Sequence, residues 1–199
     1  MATRGRLIAV EGIDGAGKTT LAEGIAAALP DVAVLREPGG AVLSERIREL
    51  VKDPALEVDP RAEALLYAAA RAQLVREKLV PLLTAGRTVL LDRFVDSSLA
   101  YQGAGRGLGM EAIAAVNRFA TDGLQADLTL YLRVDPEVGA ARRSGEDRLE
   151  RAGAPFFAAV VAAYDALARE HAGRYVVLDG AQPPDEVLAA ALRVMKRLQ

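Results

Sequence analysis

The sequence Gly12-Ile13-Asp14-Gly15-Ala16-Gly17-Lys18-Thr19 has the spacing of a phosphate-binding loop. It follows the apolar run Leu7-Ile8-Ala9-Val10, which predicts a buried strand, and it precedes residues 20–29, whose apolar positions have helical spacing. Glycines let successive backbone N–H groups point at one anion, and the N-terminus of a helix adds the positive end of its dipole. Because strand, loop and helix occur in the required order, the segment predicts a nucleotide site rather than a chance glycine-rich turn.

Each residue type in this loop has a chemical reason to be there. Lys18 supplies a mobile positive charge for the transferring end of a triphosphate, and the Thr19 hydroxyl is placed to ligate Mg²⁺. The predicted nucleotide-binding residues are Gly12, Ile13, Asp14, Gly15, Ala16, Gly17, Lys18, Thr19 and Thr20.

Length and composition narrow the class of protein. The 199 residues fit a single domain over 1–199, and 51% apolar with 26% charged residues is ordinary for a soluble globular chain. The absence of an apolar stretch of membrane-spanning length, and of a signal peptide, predicts a cytoplasmic protein without a membrane partner. No cysteine and a single histidine, His171, exclude thiolate chemistry and multi-histidine metal centres. A net charge of −2 argues against a nucleic-acid partner.

The remaining segments alternate between strand and helix patterns. Further strands are expected at residues 32–35, 88–91, 127–134 and 174–178, and helices are expected from 60 to about 79, over 110–120 and at the C-terminus. A glycine-rich loop is expected over 103–109. The alternation predicts an α/β fold with a five-stranded parallel sheet covered by helices on both faces. Ligands of such folds bind at the carboxyl ends of the strands, so the loops after Val10, Leu35, Leu91 and Val134 are the candidate site.

The loop after the second predicted strand reads Arg36-Glu37-Pro38-Gly39-Gly40. Pro-Gly-Gly alone is equally consistent with a tight turn. The charged pair directly before the turn, at the ligand edge of the sheet, favours a binding site.

The segment after the third predicted strand is denser in polar groups than a connecting loop requires. Asp92 ends the apolar strand, where P-loop enzymes keep the carboxylate that helps to hold Mg²⁺. Arg93 could form a surface salt bridge, but a cation at this edge can also pair with a substrate phosphate. The neighbouring hydrogen-bonding residues are Ser97, Ser98, Tyr101 and Gln102.

Two further features carry less specific information. Tyr67 and Arg71 are four residues apart on a predicted helix and share a face, so they could stack on and hydrogen-bond a planar base. Spacing alone nevertheless favours a partly buried tyrosine and a solvated arginine.

The arginine-rich segment 142–151 suits a short lid, at about 142–152, that closes over a polyphosphate.

These motifs together resemble the thymidylate kinase family of the P-loop nucleoside monophosphate kinases. The resemblance runs from about residue 7 to the C-terminal helix. Its most specific marks are the stretch from Glu11 to Thr20, Arg36-Glu37-Pro38-Gly39-Gly40, and Asp92-Arg93-Phe94 followed by Ser97 and Ala100-Tyr101-Gln102. It implies a P-loop kinase fold and transfer of the γ-phosphoryl group of MgATP to dTMP, a step of dTTP biosynthesis. It also implies a homodimer formed through helices away from the site.

The resemblance also implies roles for individual residues in the acceptor site. Tyr67 stands where the family places an aromatic ring against thymine, and Arg71 stands where an arginine contacts a thymine carbonyl. Ser98 matches a position that contacts the pyrimidine edge, and Tyr101 matches a position close to the sugar that disfavours a 2′-hydroxyl. The implied substrate-binding set is Asp14, Arg36, Glu37, Pro38, Tyr67, Arg71, Arg93, Ser97, Ser98, Tyr101 and Gln102.

The implied catalytic residues are Lys18, Arg93, Asp14 and a lid arginine. Family members with a small residue at position 15 take their catalytic arginine from the lid, so Arg143 and Arg148 are the candidates. The chain departs from the family pattern at Ala41, at Tyr67 and in a shorter lid, and the short lid leaves the choice between the two arginines open.

Three other functions are consistent with parts of this pattern. One is a kinase for a different nucleoside monophosphate, another is a nucleotide-dependent switch, and the third is a nucleotide-binding module without catalysis. The chain lacks an Asn-Lys-x-Asp guanine-reading motif, which argues against the switch, and the arginine-rich lid argues against the module.

Overall fold

A computed structural model describes residues 4–142 and 152–197 of the chain. These residues include the strands Leu7–Glu11 (β1), Ala33–Arg36 (β2), Val89–Asp92 (β3), Leu128–Arg133 (β4) and Tyr175–Asp179 (β5). The five strands form one parallel sheet in the order β2-β3-β1-β4-β5. The predicted α/β architecture is therefore confirmed.

Helices connect the strands and cover the sheet. They are Lys18–Ala28 (α1), Val42–Lys52 (α2), Pro60–Leu74 (α3), Val80–Thr84 (α4), Val95–Ser98 (α5), Met110–Thr121 (α6), Pro136–Arg142 (α7), Ala154–Glu170 (α8) and Pro184–Met195 (α9). Two π-helical turns, Val75–Leu79 and Leu99–Gly105, join α3 to α4 and extend α5. Within the described ranges, no helix is both long and apolar enough to cross a membrane.

The central strands are buried on both faces, as a parallel sheet requires. Successive side chains of a strand point to opposite faces, so Ile8 and Val10 of β1 join one apolar cluster whereas Leu7 and Ala9 join the other. This double coverage explains why the strands are continuous apolar runs in the sequence.

The strand register brings the predicted site segments to one edge. Val10 of β1 and Arg36 of β2 both pair with Asp92 of β3. The three strands therefore end at the same level, and the loops that follow them meet.

Two helical boundaries differ from the sequence-based expectation. The helix that begins at Pro60 was expected to end near residue 79, but it continues through a π-helical turn to Thr84 and passes Pro81. A π-turn changes the local hydrogen-bond ladder, which accommodates a residue without an N–H group. The expected loop over 103–109 also begins later than predicted, because Leu99–Gly105 is π-helical and most of it is buried.

Helix α7 approaches the phosphate-binding loop through a contact between two glycines. A Cβ atom on Gly15, whose φ is +81°, would lie 2.2 Å from the carbonyl oxygen of Gly139. A Cβ atom on Gly139 would lie 2.7 Å from Ile13 Cδ1 and 2.9 Å from the Asp14 carbonyl oxygen. The loop and the helix therefore pack backbone against backbone, and a side chain at either position would separate them.

We expect Gly139→Ala to lower the free energy of unfolding by about 1–3 kcal/mol, because the added methyl group overfills this contact. Chemical denaturation followed by circular dichroism measures the change.

Gly173→Ala is the matched control, since a Cβ atom there meets no atom within 4 Å and no left-handed φ is required. Equal stability of the two variants would contradict the close packing of α7 against the loop.

Candidate functional site

A cavity of about 280 Å³ opens at the carboxyl edge of β1, β2 and β3. All eleven residues of the predicted substrate-binding set line this first cavity, together with Lys18, Thr19 and Asp92. Residues that are far apart in the sequence are thus brought together, as the strand-end interpretation predicts.

Arg93 lines the first cavity, and its guanidinium donates hydrogen bonds to three side chains. Its Nη2 atom donates to Asp14 Oδ1 at 2.7 Å and to the Tyr101 hydroxyl at 3.1 Å, and its Nη1 atom donates to Ser97 Oγ at 3.1 Å. The guanidinium also lies 4.9 Å from the centre of the Tyr101 ring. Its side chain is 16% exposed, so the surface salt bridge considered from the sequence is wrong.

Asp14 and Lys18 are two further charged residues that line this cavity. Burial opposes ionisation of Asp14, but Arg93 and Lys18 together hold the pKa of its carboxyl well below the usual range. Burial and the nearby Arg93 lower the pKa of Lys18 to about 8. Lys18 Nζ donates to the Ile13 carbonyl at 2.9 Å, which keeps the ammonium group inside the loop.

Arg71 also lines the first cavity. Its side chain is only 2% exposed, so the interpretation of Arg71 as a solvated side chain is wrong. Its Nε atom donates to Glu37 Oε2 at 2.7 Å, and Nη2 donates to the Phe94 carbonyl at 2.9 Å and also lies beside Glu37. Its Nη1 atom donates to Ser98 Oγ at 2.8 Å and to Asn117 Oδ1. All five N–H bonds of the guanidinium thus face protein acceptors.

Glu37 has one carboxylate oxygen in this network and one outside it. Burial raises the pKa of Glu37, although Arg71 opposes the shift. Its Oε1 atom is buried without a hydrogen-bond partner within the described residues. The Pro38 carbonyl accepts from Arg36 Nη1 at 3.0 Å and from Arg48 Nη1 at 3.0 Å, so the turn after β2 is also part of the cavity wall.

A second cavity, of about 540 Å³, lies against the N-terminus of α1. Every predicted nucleotide-binding residue from Asp14 to Thr20 lines it, and the remaining lining residues are Leu21, Leu132, Arg142, Gly180, Gln182, Pro184 and Val187. Gly12 and Ile13, which were also predicted to bind nucleotide, do not line it and are buried. A Cβ atom on Gly12 would lie 2.6 Å from the Leu132 carbonyl oxygen, so this glycine serves the close approach of β4.

The two cavities share Asp14, Lys18 and Thr19. Molecules bound in the two cavities would therefore meet at one lysine, one carboxylate and one hydroxyl. This arrangement suits the transfer of a charged group from one ligand to the other.

The residues at this junction fit the predicted Mg²⁺ ion. Asp92 Oδ1 is buried and has no hydrogen-bond partner in the described part of the chain, and Thr19 lines the same cavity as Asp92. Residues 4–142 and 152–197 contain no cluster of three or more acidic or histidine side chains that could hold a metal ion. Mg²⁺ characteristically combines one or two protein oxygens with water and phosphate oxygens, so this sparse donor set suits it.

The sequence analysis did not identify two cationic side chains that line the first cavity. It also did not identify the contact between Arg142 and Gly180, which both line the second cavity. Arg48 and Lys52 both line the first cavity from α2. Their spacing of four residues places them on one face of the helix, and this signal was available in the sequence. Arg142 lines the second cavity and donates to the Gly180 carbonyl at 2.7 Å, a contact that no local pattern indicates. The predicted catalytic candidates Arg143 and Arg148, in the lid segment, lie outside the described residues.

The chain is similar over nearly its whole length to several thymidylate kinases. It is 48% identical to one from Latilactobacillus sakei over 202 residues, which cover 96% of this chain and 94% of the relative. It is also 48% identical to one from Deinococcus radiodurans, with 94% of each chain covered.

A solved structure agrees with these sequence relationships. The crystal structure of thymidylate kinase from Ehrlichia chaffeensis has a TM-score of 0.80 to this fold at 28% identity, and the match covers 97% of this chain and 99% of the other. The family model described as thymidylate kinase matches residues 10–191, which include both cavities. The chain therefore belongs to the thymidylate kinase family.

Proposed function

We propose that the chain transfers the γ-phosphoryl group of ATP to the 5′-phosphate of dTMP, with dTMP in the first cavity and ATP in the second. The observation that carries this proposal is the junction of the two cavities at Asp14, Lys18 and Thr19. Membership of the thymidylate kinase family supports the choice of both substrates.

The acceptor is already a nucleophile in this reaction. The second pKa of a phosphate monoester is about 6, so its oxygens are mostly ionised at neutral pH and need no general base. The site accordingly offers cations rather than a base. Arg93 holds the acceptor phosphate, while Lys18 and the loop amides hold the donor phosphates, and this positioning and charge neutralisation lower the barrier.

Asp92 and Thr19 would hold the Mg²⁺ ion that accompanies ATP. When bound, this ion neutralises charge on the donor phosphates.

A further cation is required for the phosphoryl group in transit, and we propose that it comes from the lid. An arginine at position 15 is sterically excluded, since even a Cβ atom there would lie 2.2 Å from the Gly139 carbonyl oxygen. This clash supports the assignment of the role to Arg143 or Arg148. An arginine in this role can contribute about 10³-fold or more in rate.

The remaining features of the protein are proposed from its sequence and surface. Residues 1–199 act as one kinase domain with a lid at about 142–152, located in the cytoplasm and without a nucleic-acid partner. We propose that the protein is a homodimer, because three helices that pack side by side, α2, α3 and α6, expose large apolar side chains. These are Val42, Leu43, Leu50, Leu65 and Phe119, the last being 92% exposed.

Replacement of Lys18 tests the phosphoryl-transfer junction. We expect Lys18→Ala to lower kcat for dTDP formation at least about a hundredfold, because the donor phosphates lose their buried charge partner. Chromatographic detection of dTDP measures the rate, and circular dichroism checks the fold. Lys78→Ala removes an exposed lysine outside both cavities and should retain wild-type activity. A Lys18→Ala enzyme that turns over normally would remove the loop from the reaction.

Replacement of Ser98 tests the base pocket. Ser98 Oγ accepts from Arg71 at 2.8 Å, so its own proton is available to a bound base. Ser98→Ala should reduce the preference for dTMP over dCMP by about tenfold, since a polar contact with the correct base is lost.

The comparison variant is Ser44→Ala, which also removes a buried hydroxyl but one that donates to the Ala70 carbonyl outside the cavity. The ratio of kcat/KM values for the two nucleotides is the readout. An unchanged ratio in Ser98→Ala would place the base elsewhere.

Replacement of Phe119 tests the proposed homodimer. Phe119→Asp puts a charge into the proposed interface and should weaken self-association by about tenfold or more. Val177→Asp changes an exposed residue on β5 and should leave association unchanged. Sedimentation equilibrium measures both, and a wild-type protein that is monomeric at micromolar concentration would exclude the dimer.

A further inference from the structure

Glu11 is a completely buried carboxylate at the carboxyl end of β1, and it lines neither cavity. A buried carboxylate is costly unless donors compensate its charge, so its contacts indicate what it is there to hold.

Four donors converge on this carboxylate. Oε1 accepts from the backbone N–H of Phe94 at 2.8 Å and from that of Ser97 at 3.3 Å. Oε2 accepts from Ser97 Oγ at 2.6 Å and from the Tyr164 hydroxyl at 2.8 Å. Glu11 thus ties β1 to α8 and to the first turn of α5, the segment that follows Arg93.

The segment needs such support because Arg93 has a left-handed backbone, with φ at 70°. For a residue with a side chain this conformation is energetically unfavourable and persists only where neighbouring contacts fix it. The Arg93 N–H donates to the Val10 carbonyl at 3.0 Å, and the next N–H, from Phe94, donates to Glu11. Consecutive amides on both sides of the strained residue are therefore anchored to the end of β1.

Glu11 also controls the direction of the Ser97 hydroxyl. A hydroxyl has one proton, and at 2.6 Å from Oε2 that proton points to the carboxylate, which can only accept. The Ser97 oxygen is then free to accept from Arg93 Nη1 at 3.1 Å. A chain of two hydrogen bonds therefore connects Glu11 to the guanidinium.

We propose that Glu11 is a positioning residue for phosphoryl transfer, which fixes the backbone and the guanidinium of Arg93 toward the acceptor phosphate. This inference rests on the proposed function and adds to it a residue that never touches a substrate. Because Arg93 serves the acceptor, the loss of Glu11 affects the reaction of dTMP more than the binding of ATP.

Glu11→Gln is the informative substitution, since it keeps the shape but replaces one acceptor oxygen by an amide donor. Ser97 can then no longer direct its proton to that atom, and Arg93 loses a well-placed acceptor. We expect kcat/KM for dTMP to fall by about tenfold to a hundredfold, as misplacement of a positioned group does. KM for ATP should stay within about twofold of the wild-type value. The assay is run at pH 8, because burial and the nearby Asp96 raise the pKa of Glu11 to about 7.

A pair of tyrosines provides a matched comparison in variants that keep the carboxylate. Tyr131 and Tyr164 are stacked with ring centres 5.1 Å apart, but only Tyr164 donates to Glu11, whereas Tyr131 donates to Asp165 at 3.1 Å. Tyr164→Phe should lower kcat/KM for dTMP by about threefold or more, and Tyr131→Phe should not. The comparison of these two variants tests the positioning role of Glu11 even if Glu11→Gln fails to fold.

The double variant Glu11→Gln/Ser97→Ala gives a further test. If Glu11 acts through Ser97, the loss in the double variant is smaller than the product of the two single losses. A folded Glu11→Gln enzyme with wild-type kcat/KM for dTMP, or one whose KM for ATP rises by the same factor as kcat/KM for dTMP falls, would overturn the proposal. Absence of dTMP-dependent turnover in the wild-type protein would instead refute the proposed function, so the two failures are distinguishable.

Discussion

The ion pair between Arg93 and Asp14, with 2.7 Å between Nη2 and Oδ1, is the contact on which the site depends. Asp14 belongs to the loop after β1 and Arg93 to the segment after β3, and the parallel register ends these neighbouring strands at the same level. The pair therefore joins the wall of one cavity to the wall of the other. It also keeps the guanidinium partly buried and charged before a substrate arrives, so little reorganisation is needed when a phosphate binds.

Charge around the site differs in sign from charge on the whole chain. The net charge is −2, whereas six cationic side chains and three carboxylates line the first cavity. A dianionic phosphate monoester is attracted to this local excess, although the net charge of the whole chain is negative. The arginines are also held in place by protein acceptors, as Arg71 is by Glu37. Charge neutralisation by fixed groups, without a base, is the chemistry that phosphoryl transfer to an ionised phosphate requires.

The site residues that follow the strands were predictable from the sequence, because a buried parallel strand is a continuous apolar run. A charged residue directly after such a run lies at the carboxyl edge of the sheet, where ligands bind. Asp92 and Arg93 were identified in this way. What escaped prediction depends on three-dimensional packing. The burial of Arg71 arises from contacts with residues up to 46 positions away, which spacing on one helix does not reveal. Glu11 adjoins the phosphate-binding loop in the sequence, yet its role follows from contacts with α5 and α8, which assemble only in the fold.

We propose that two ligands meet at the junction of the cavities and that a phosphoryl group passes from one to the other. This transfer is tested by the release of ADP from MgATP, measured without acceptor and with dTMP, dUMP, dCMP, dGMP or AMP, with the product identified by chromatography. We expect ADP release that depends on an acceptor, a strong preference for dTMP and dTDP as the product. ADP release at the same rate with every acceptor and without one would contradict it, because the first cavity would then take no part in the reaction.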